Sequence, residues 1–326
     1  TGVAGNVRLA KRVGRLWNFN GFVNAISPEY EVNDLGFQRR SDRIDAQAGF
    51  NYNDSRPGTV LRSNGVGLTA LMEHNFNGDN VSNRIFSGYN AQLMNYWGVF
   101  ANVNVSLPNT YDDRLTRGGP AARRPGNTSV SGGFYSDSRK AVTGEWYTSY
   151  RTGGNGNELV LQPTIEFKPT PKWQLRLTPT YVDLHDPAQY LFQYADPSAT
   201  HTYNARYVFA ALDYTQLALE TRLNYTIRPG LSVQVYAQPL IASGDFGPST
   251  SPNAPCSTNI SQTWSGPMAK KAADSTAVSD IRTIISVFLS IKRVSSGVAA
   301  APKAAATMYV GTKLAISSGR PTKYLK

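Results

Sequence analysis

The stretch TRLNYTIRPGLSVQVYAQPL, residues 221–240, alternates apolar and polar positions, turns on Arg228-Pro229-Gly230, and alternates again. On the first arm Leu217, Leu219, Thr221, Leu223, Tyr225 and Ile227 share one face, while Glu220, Arg222, Asn224 and Thr226 share the other. On the second arm Leu231, Val233, Val235 and Ala237 oppose Ser232, Gln234, Tyr236 and Gln238. Period two is the mark of a strand with one apolar and one polar face. The same pattern, with varying clarity, fills residues 7–26, 43–52, 59–73, 83–106, 128–138, 141–152, 158–168, 173–184 and 200–213. It predicts roughly a dozen strands. Gly65, Gly67, Gly88 and Gly98 fall inside strands, where glycine marks a bend or a tight approach. The longest helix-like apolar stretch, IRTIISVFLSIKRV (281–294), is too short for a membrane helix and is flanked by charge.

The connections narrow the fold class. Phe167-Lys-Pro-Thr-Pro-Lys-Trp173 and Arg228-Pro-Gly230 are minimal turns, and RTGGNGNE (151–158) reads as a hairpin tip. Residues 107–127 and 183–200 read as long polar loops rich in Asp and Pro. Short turns alternating with long loops, and arms of about 10 residues, suit an outer-membrane barrel better than a sandwich. The polar faces carry Glu, Arg, Gln, Asn and Thr on strand after strand, unlike the inner faces of a sandwich. Trp17, Trp97, Trp146 and Trp173 recur near strand ends, as in an interfacial girdle. The expected fold is therefore all-β: an antiparallel up-and-down transmembrane β-barrel, partial, over residues 1–246. Residues 247–326 lose the period and are expected to be a poorly structured or out-of-frame tail.

Charge sharpens that boundary. The net charge of +11 divides into +8 over residues 247–326 and +3 over the remainder. No structured basic face interleaved with aromatics appears in 1–246, so nucleic acid is not an expected partner. The single cysteine, Cys256, excludes internal disulfides and cysteine metal sites. No run approaches the roughly 20 apolar residues of a membrane helix. The chain opens TGVAGN without Met, which reads as a fragment lacking its true N-terminus.

Catalytic chemistry is thin. His74, His185 and His201 are scattered, and no HxxxH, CxxC or GxSxG spacing occurs. LHDP (184–187) reads as turn chemistry. The chain is expected to be no enzyme and to need neither cofactor nor metal. The best functional candidate is a charge cluster at a pore mouth or in a lumen: Asp112, Asp113, Arg114, Arg117, Arg123 and Arg124 with Asp137 and Arg139. The bland alternative has those charges pairing with Asp137, Arg139 and Lys140 across the interior.

Three stretches carry a family resemblance: SPEYEVNDLGFQRRSDRID (27–45), YDDRLTRGGPAARRPGNTSVSGGFYSDSRKAV (111–142), and residues 205–246. In that order they resemble the DUF5916 family. The resemblance implies a bacterial outer-membrane barrel, often joined to an N-terminal family 9-like carbohydrate-binding module that would lie upstream of Thr1. Outer-membrane lipid is then the expected partner, carbohydrate a further one through the missing module, and the outer membrane of a Gram-negative cell the location. The expected role is a non-enzymatic pore, transporter or anchor for that module. The competing reading is a soluble β-sandwich that binds carbohydrate.

Overall fold

The computed structural model describes residues 2–32, 38, 40–112, 114–154 and 156–250, with side chains to residue 247, and the backbone of two later strands. In chain order the strands are β1 (Ala4–Val13), β2 (Trp17–Ile26), β3 (Arg43–Asp54), β4 (Leu61–His74), β5 (Asn80–Leu93) and β6 (Gly98–Ser106). A small hairpin follows, β7 (Thr110–Asp112) and β8 (Ala122–Arg124). Then come β9 (Asn127–Tyr135), β10 (Val142–Gly153), β11 (Asn157–Phe167), β12 (Trp173–Ala195), β13 (Ala205–Arg228) and β14 (Leu231–Thr250). The later strands are β15 (Arg282–Arg293) and β16 (Val310–Ser317).

Every strand except β7 and β8 joins one sheet, each pairing antiparallel with its neighbour in sequence. The up-and-down all-β expectation is met. Barrel closure is not found: β1 and β16 stand at opposite ends of the sheet order, so the sheet is open. The one other sheet among the described residues is the β7–β8 hairpin, on the polar side, and on the apolar side Leu217 and Leu219 remain 54 % and 38 % exposed.

Several boundaries differ from the pattern-based reading, each for a physical reason. The run 83–106 is two strands, split where Asn95 Oδ1 accepts the Trp97 N–H at 3.1 Å and Tyr96 turns at φ 68°. Residues 183–195, read as loop, continue β12 past His185 through register shifts between Asp186 and Gln189 and between Tyr190 and Phe192. Asp186 Oδ1 there accepts the Ala188 N–H at 2.9 Å, so the expected turn chemistry serves a bulge instead. The helix-like run 281–294 is strand β15. Ile285, Val287, Leu289 and Ile291 stand in register with Pro239, Ala237, Val235 and Val233 of β14. Adjacent apolar residues at 284–285 and 287–289 mask that period, which only the pairing reveals. The expectation of an unstructured tail falls, outside β15 and β16, on residues beyond those described.

Directly paired residues of antiparallel strands point to the same face. Following the register from β2 to β14 assembles one face from Phe19, Phe50, Leu68, Tyr89, Ala101, Gly132, Thr148, Leu161, Tyr181, Leu217 and Ile241. Between Tyr52 at one end and Asp183 at the other this face carries no Asp, Glu, Lys or Arg from β2 to β14. On β11 the uncharged stretch runs from Phe167 to Leu159, ~26 Å along the strand.

Glycines show which way the sheet curls. On the polar face, a Cβ at Gly49, Gly65, Gly67 or Gly88 would meet an Asn Oδ1 at 2.6–2.8 Å, and one at Gly133 would strike the Trp146 carbonyl. On the apolar face, a Cβ at Gly5 or Gly144 would meet nothing within 4 Å. Gly21 and Gly132, also on the apolar face, approach backbone carbonyls at 3.2 and 3.0 Å, but the close side-chain contacts fall on the polar face, toward which we infer that the sheet curls. Glycine sits there because the Asn20, Asn51, Asn53 and Asn102 side chains occupy the space a methyl would need.

The sheet has no core of its own. Phe209 is the one large side chain that is fully buried among the described residues, and its buried companions Tyr207, Val208 and Ala210 are its neighbours on β13. That cluster lies where β12, β13 and β14 extend past the other strands.

Candidate functional site

The two ends of the sheet differ. At one end the connections are short: residues 14–16, 55–60, 94–97, 136–141, 168–172 and 229–230. At the other lie the long connections 27–42 and 107–126 and the β12–β13 extension capped by 196–204, with short turns only at 75–79 and 154–156. The four tryptophans of the described chain all belong to the short-turn end. Trp17 packs on Tyr52 (4.7 Å) and Phe50 (5.1 Å), Trp97 on Phe134 (6.0 Å) and Trp173 on Tyr225 (4.8 Å). With Trp146, paired to Phe134 across β9 and β10, they form an aromatic row along one edge of the apolar face.

The expected charge cluster is divided between those ends. Asp112, Arg114, Arg117, Arg123 and Arg124 belong to the connection 107–126 at the long-loop end. Asp137 and Arg139 lie in the turn 136–141 at the short-turn end, separated from the others by the length of β9, about 30 Å. One site cannot contain both groups, and the ion pairs seen among the described residues stay within each group. Asp113 lies outside the described residues.

Each group is satisfied locally. Asp112 Oδ1 accepts the backbone N–H of Arg114 (2.9 Å) and of Leu115 (3.0 Å), and its other oxygen is ion-paired with Arg124. Arg123 donates to Asn109 Oδ1. Thr116 Oγ1 donates to the Pro120 carbonyl at 2.8 Å. Asp112 is thus the hub of the β7–β8 hairpin. Arg117 sits 4.6 Å over the Tyr190 ring, and Gly119 lies against the Tyr207 ring, where any side chain would collide. The connection therefore crosses the sheet from β6 to the β12–β13 extension, where Tyr190 and Tyr207 form its footing.

At the short-turn end Arg139 forms a fork on Asp137, with Nε and Nη2 each donating at 2.8 Å. The guanidinium holds the Asp137 carboxyl down to about 2. Arg139 and Arg62 both face the Tyr96 ring, and Arg62 Nη1 donates to its hydroxyl at 3.1 Å. These cations hold Tyr96 in its left-handed conformation, uncommon for a bulky residue. This is turn architecture.

Two hollows on the polar face were not foreseen. A groove of about 520 Å³ is lined by Glu145, Arg176, Glu220, Arg222, Tyr147 and Phe100, among others. Arg176 donates to Glu145 at 3.1 Å and Arg222 to Glu220 at 2.6 Å, while Thr164 and Thr178 share a hydrogen bond of 3.1 Å in its wall. A cavity of about 640 Å³ lies beneath the 107–126 connection, lined by Arg40, Arg43, Asp45, Glu73, Arg84, Asp112, Arg114 and Arg124. Alternation placed such residues on the polar face, but their meeting depends on register across strands far apart in sequence. Among the described residues no three His, Cys, Asp or Glu come together to hold a metal ion. His185 Nδ1 lies 2.6 Å from Asp213 Oδ1, an exposed pair with no nucleophile assigned to it.

A family model described as a domain of unknown function, DUF5916, matches residues 1–243. The chain belongs to the DUF5916 family. The matched region runs from β1 into β14 and leaves β15 and β16 outside. No curated protein and no solved structure matches the chain. The stretches that carry the DUF5916 resemblance also meet in space. Residues 27–45 and 111–142 both line the arginine-rich cavity, and Gly119 of the second packs on Tyr207 of the third.

Proposed function

We propose that this DUF5916 chain is part of a non-enzymatic β-barrel of a bacterial outer membrane. In this reading the apolar face touches hydrocarbon and the polar face lines a water-filled interior. It serves solute passage or anchors a periplasmic carbohydrate-binding module. The observation that carries the reading is an apolar face uncharged from β2 to β14 and uncovered by any described element, with Ile165, Val130 and Met72 about half exposed. A sheet this large in water needs a second layer to bury such a face. Lipid supplies that layer without one. The uncharged stretch of ~26 Å matches the apolar band of outer-membrane barrels, about 25 Å tall. The aromatic row at the short-turn end suits a membrane–water interface. Closure would join the open edges and satisfy the backbone groups that hydrocarbon cannot.

Gel migration tests it. The full chain, folded into detergent micelles, is expected to migrate differently on SDS gels before and after boiling. A monodisperse monomer in plain buffer, with no change on boiling, would overturn the proposal.

A further inference from the structure

We infer that the cavity beneath the 107–126 connection binds small anions bearing a phosphate or carboxylate group. Its walls come from the polar face of β3–β6, from Arg40 of the 27–42 connection, and from the β7–β8 hairpin above. Among the described residues the acids that line it are matched already. Glu73 lies 3.5 Å from Arg40, Asp45 lies 3.1 Å from Arg43, and Asp112 is paired with Arg124. Asp45 also accepts from Asn24 at 3.0 Å, and Asp112 is committed to its two backbone donors.

Arg84 is different. It is exposed to the cavity and makes no hydrogen bond or ion pair among the described residues. Its partners across the sheet are Leu71 on β4 and Ser106 on β6, so no acid stands opposite it. An unmatched guanidinium on a concave wall, beside guanidiniums held in place by their own carboxylates, offers donors in the planar geometry that phosphate and carboxylate oxygens fit. The concave polar wall points to ions from the aqueous side rather than to lipid head groups. The cavity's position in a lumen rests on the membrane-barrel reading; the anion chemistry does not.

Calorimetric titration of the full chain in non-ionic detergent micelles with inorganic phosphate, and separately with citrate, tests the inference. Saturable binding is expected for at least one of them. Arg84→Ala should weaken it about tenfold, the loss of one charge-assisted contact, and Arg84→Lys should recover part of that loss. Arg56→Ala, at the opposite end where Arg56 pairs with Asp54, should leave it unchanged. No saturable binding of either anion would overturn the inference, as would equal affinity in Arg84→Ala and the unaltered chain. Boiling-dependent gel migration reads the barrel separately: migration that shifts with no anion binding sinks the site alone, and binding without the shift sinks the barrel alone.

Discussion

The two faces of the sheet share one backbone and one set of strands, yet they solve different problems. On the concave face charged and amide groups reach each other across strands: Arg176 with Glu145, Asn224 with Gln174 at 3.2 Å, Gln162 with Thr180 at 3.0 Å. Space there is so limited that Gly49, Gly65, Gly67 and Gly88 each stand directly opposite an asparagine. On the convex face the side chains are uncharged, and larger ones such as Leu68, Val130, Ile165 and Leu217 are left about half exposed. A polar surface built with matched partners fits the wet interior proposed for it. An apolar surface built with none expects its contacts from outside the chain.

Substitutions that move one face's chemistry to the other should break this contrast most strongly. Leu219→Arg, near the middle of the convex face, is expected to cost about 2–4 kcal/mol in urea titrations of bilayer-embedded protein. A loss below about 0.5 kcal/mol, typical of a surface change, would mean that the face meets water. Next in size is a matched pair of glycines on neighbouring strands. Gly133→Ala is expected to cost about 1–3 kcal/mol, because the new methyl strikes the Trp146 carbonyl and the β9–β10 pairing must yield. Gly144→Ala, with open space beyond it, is expected within about 0.5 kcal/mol of the parent. Equal costs would remove the argument for curvature toward the polar face.

Smaller effects sharpen the account of the ends. Gly119→Val should lift the 107–126 connection off Tyr207, read as faster proteolytic cutting within that connection while the strands stay protected. Asp137 predicts a pH signature. Its folded-state pKa of about 2 lies below the ordinary 3.8, so its contribution to stability is present above about pH 4 and fades as pH falls through about 2. Unfolding of Asp137→Asn should therefore differ from the parent at pH 6 and converge with it near pH 2. Asp196, also held at about 2 by Ser198 and Arg206 in the long-loop cap, should titrate likewise by NMR.

Local alternation made the strands and both faces legible from residues 43–52, 158–168 and 217–240 onward. Where the outline erred, pairing overrode local signal. Residues 183–195 look like a loop because Asp and Pro crowd them, yet β13 supplies a partner long enough to keep them extended through two bulges. The charge cluster erred for the reverse reason. Sequence proximity suggested that 111–140 acts as a unit, but β9 carries the chain across the sheet between its two halves. Arg84 and the groove around Glu145, Arg176, Glu220 and Arg222 lay hidden because their neighbours are set by register. Asn224 and Gln174, 50 residues apart, are one example.

The central claim concerns which solvent each face meets, and β13 offers a direct reading. With Cys256 replaced by Ser, single cysteines at Gln216, Leu217, Ala218, Leu219, Glu220 and Thr221 would carry a fluorescent label in full-length protein reconstituted into vesicles. Brominated lipid should quench the labels at 217, 219 and 221 strongly, and aqueous iodide those at 216, 218 and 220. A period-two pattern in antiphase between the two quenchers is the predicted result. Quenching by iodide at every position, with none by lipid, would contradict it.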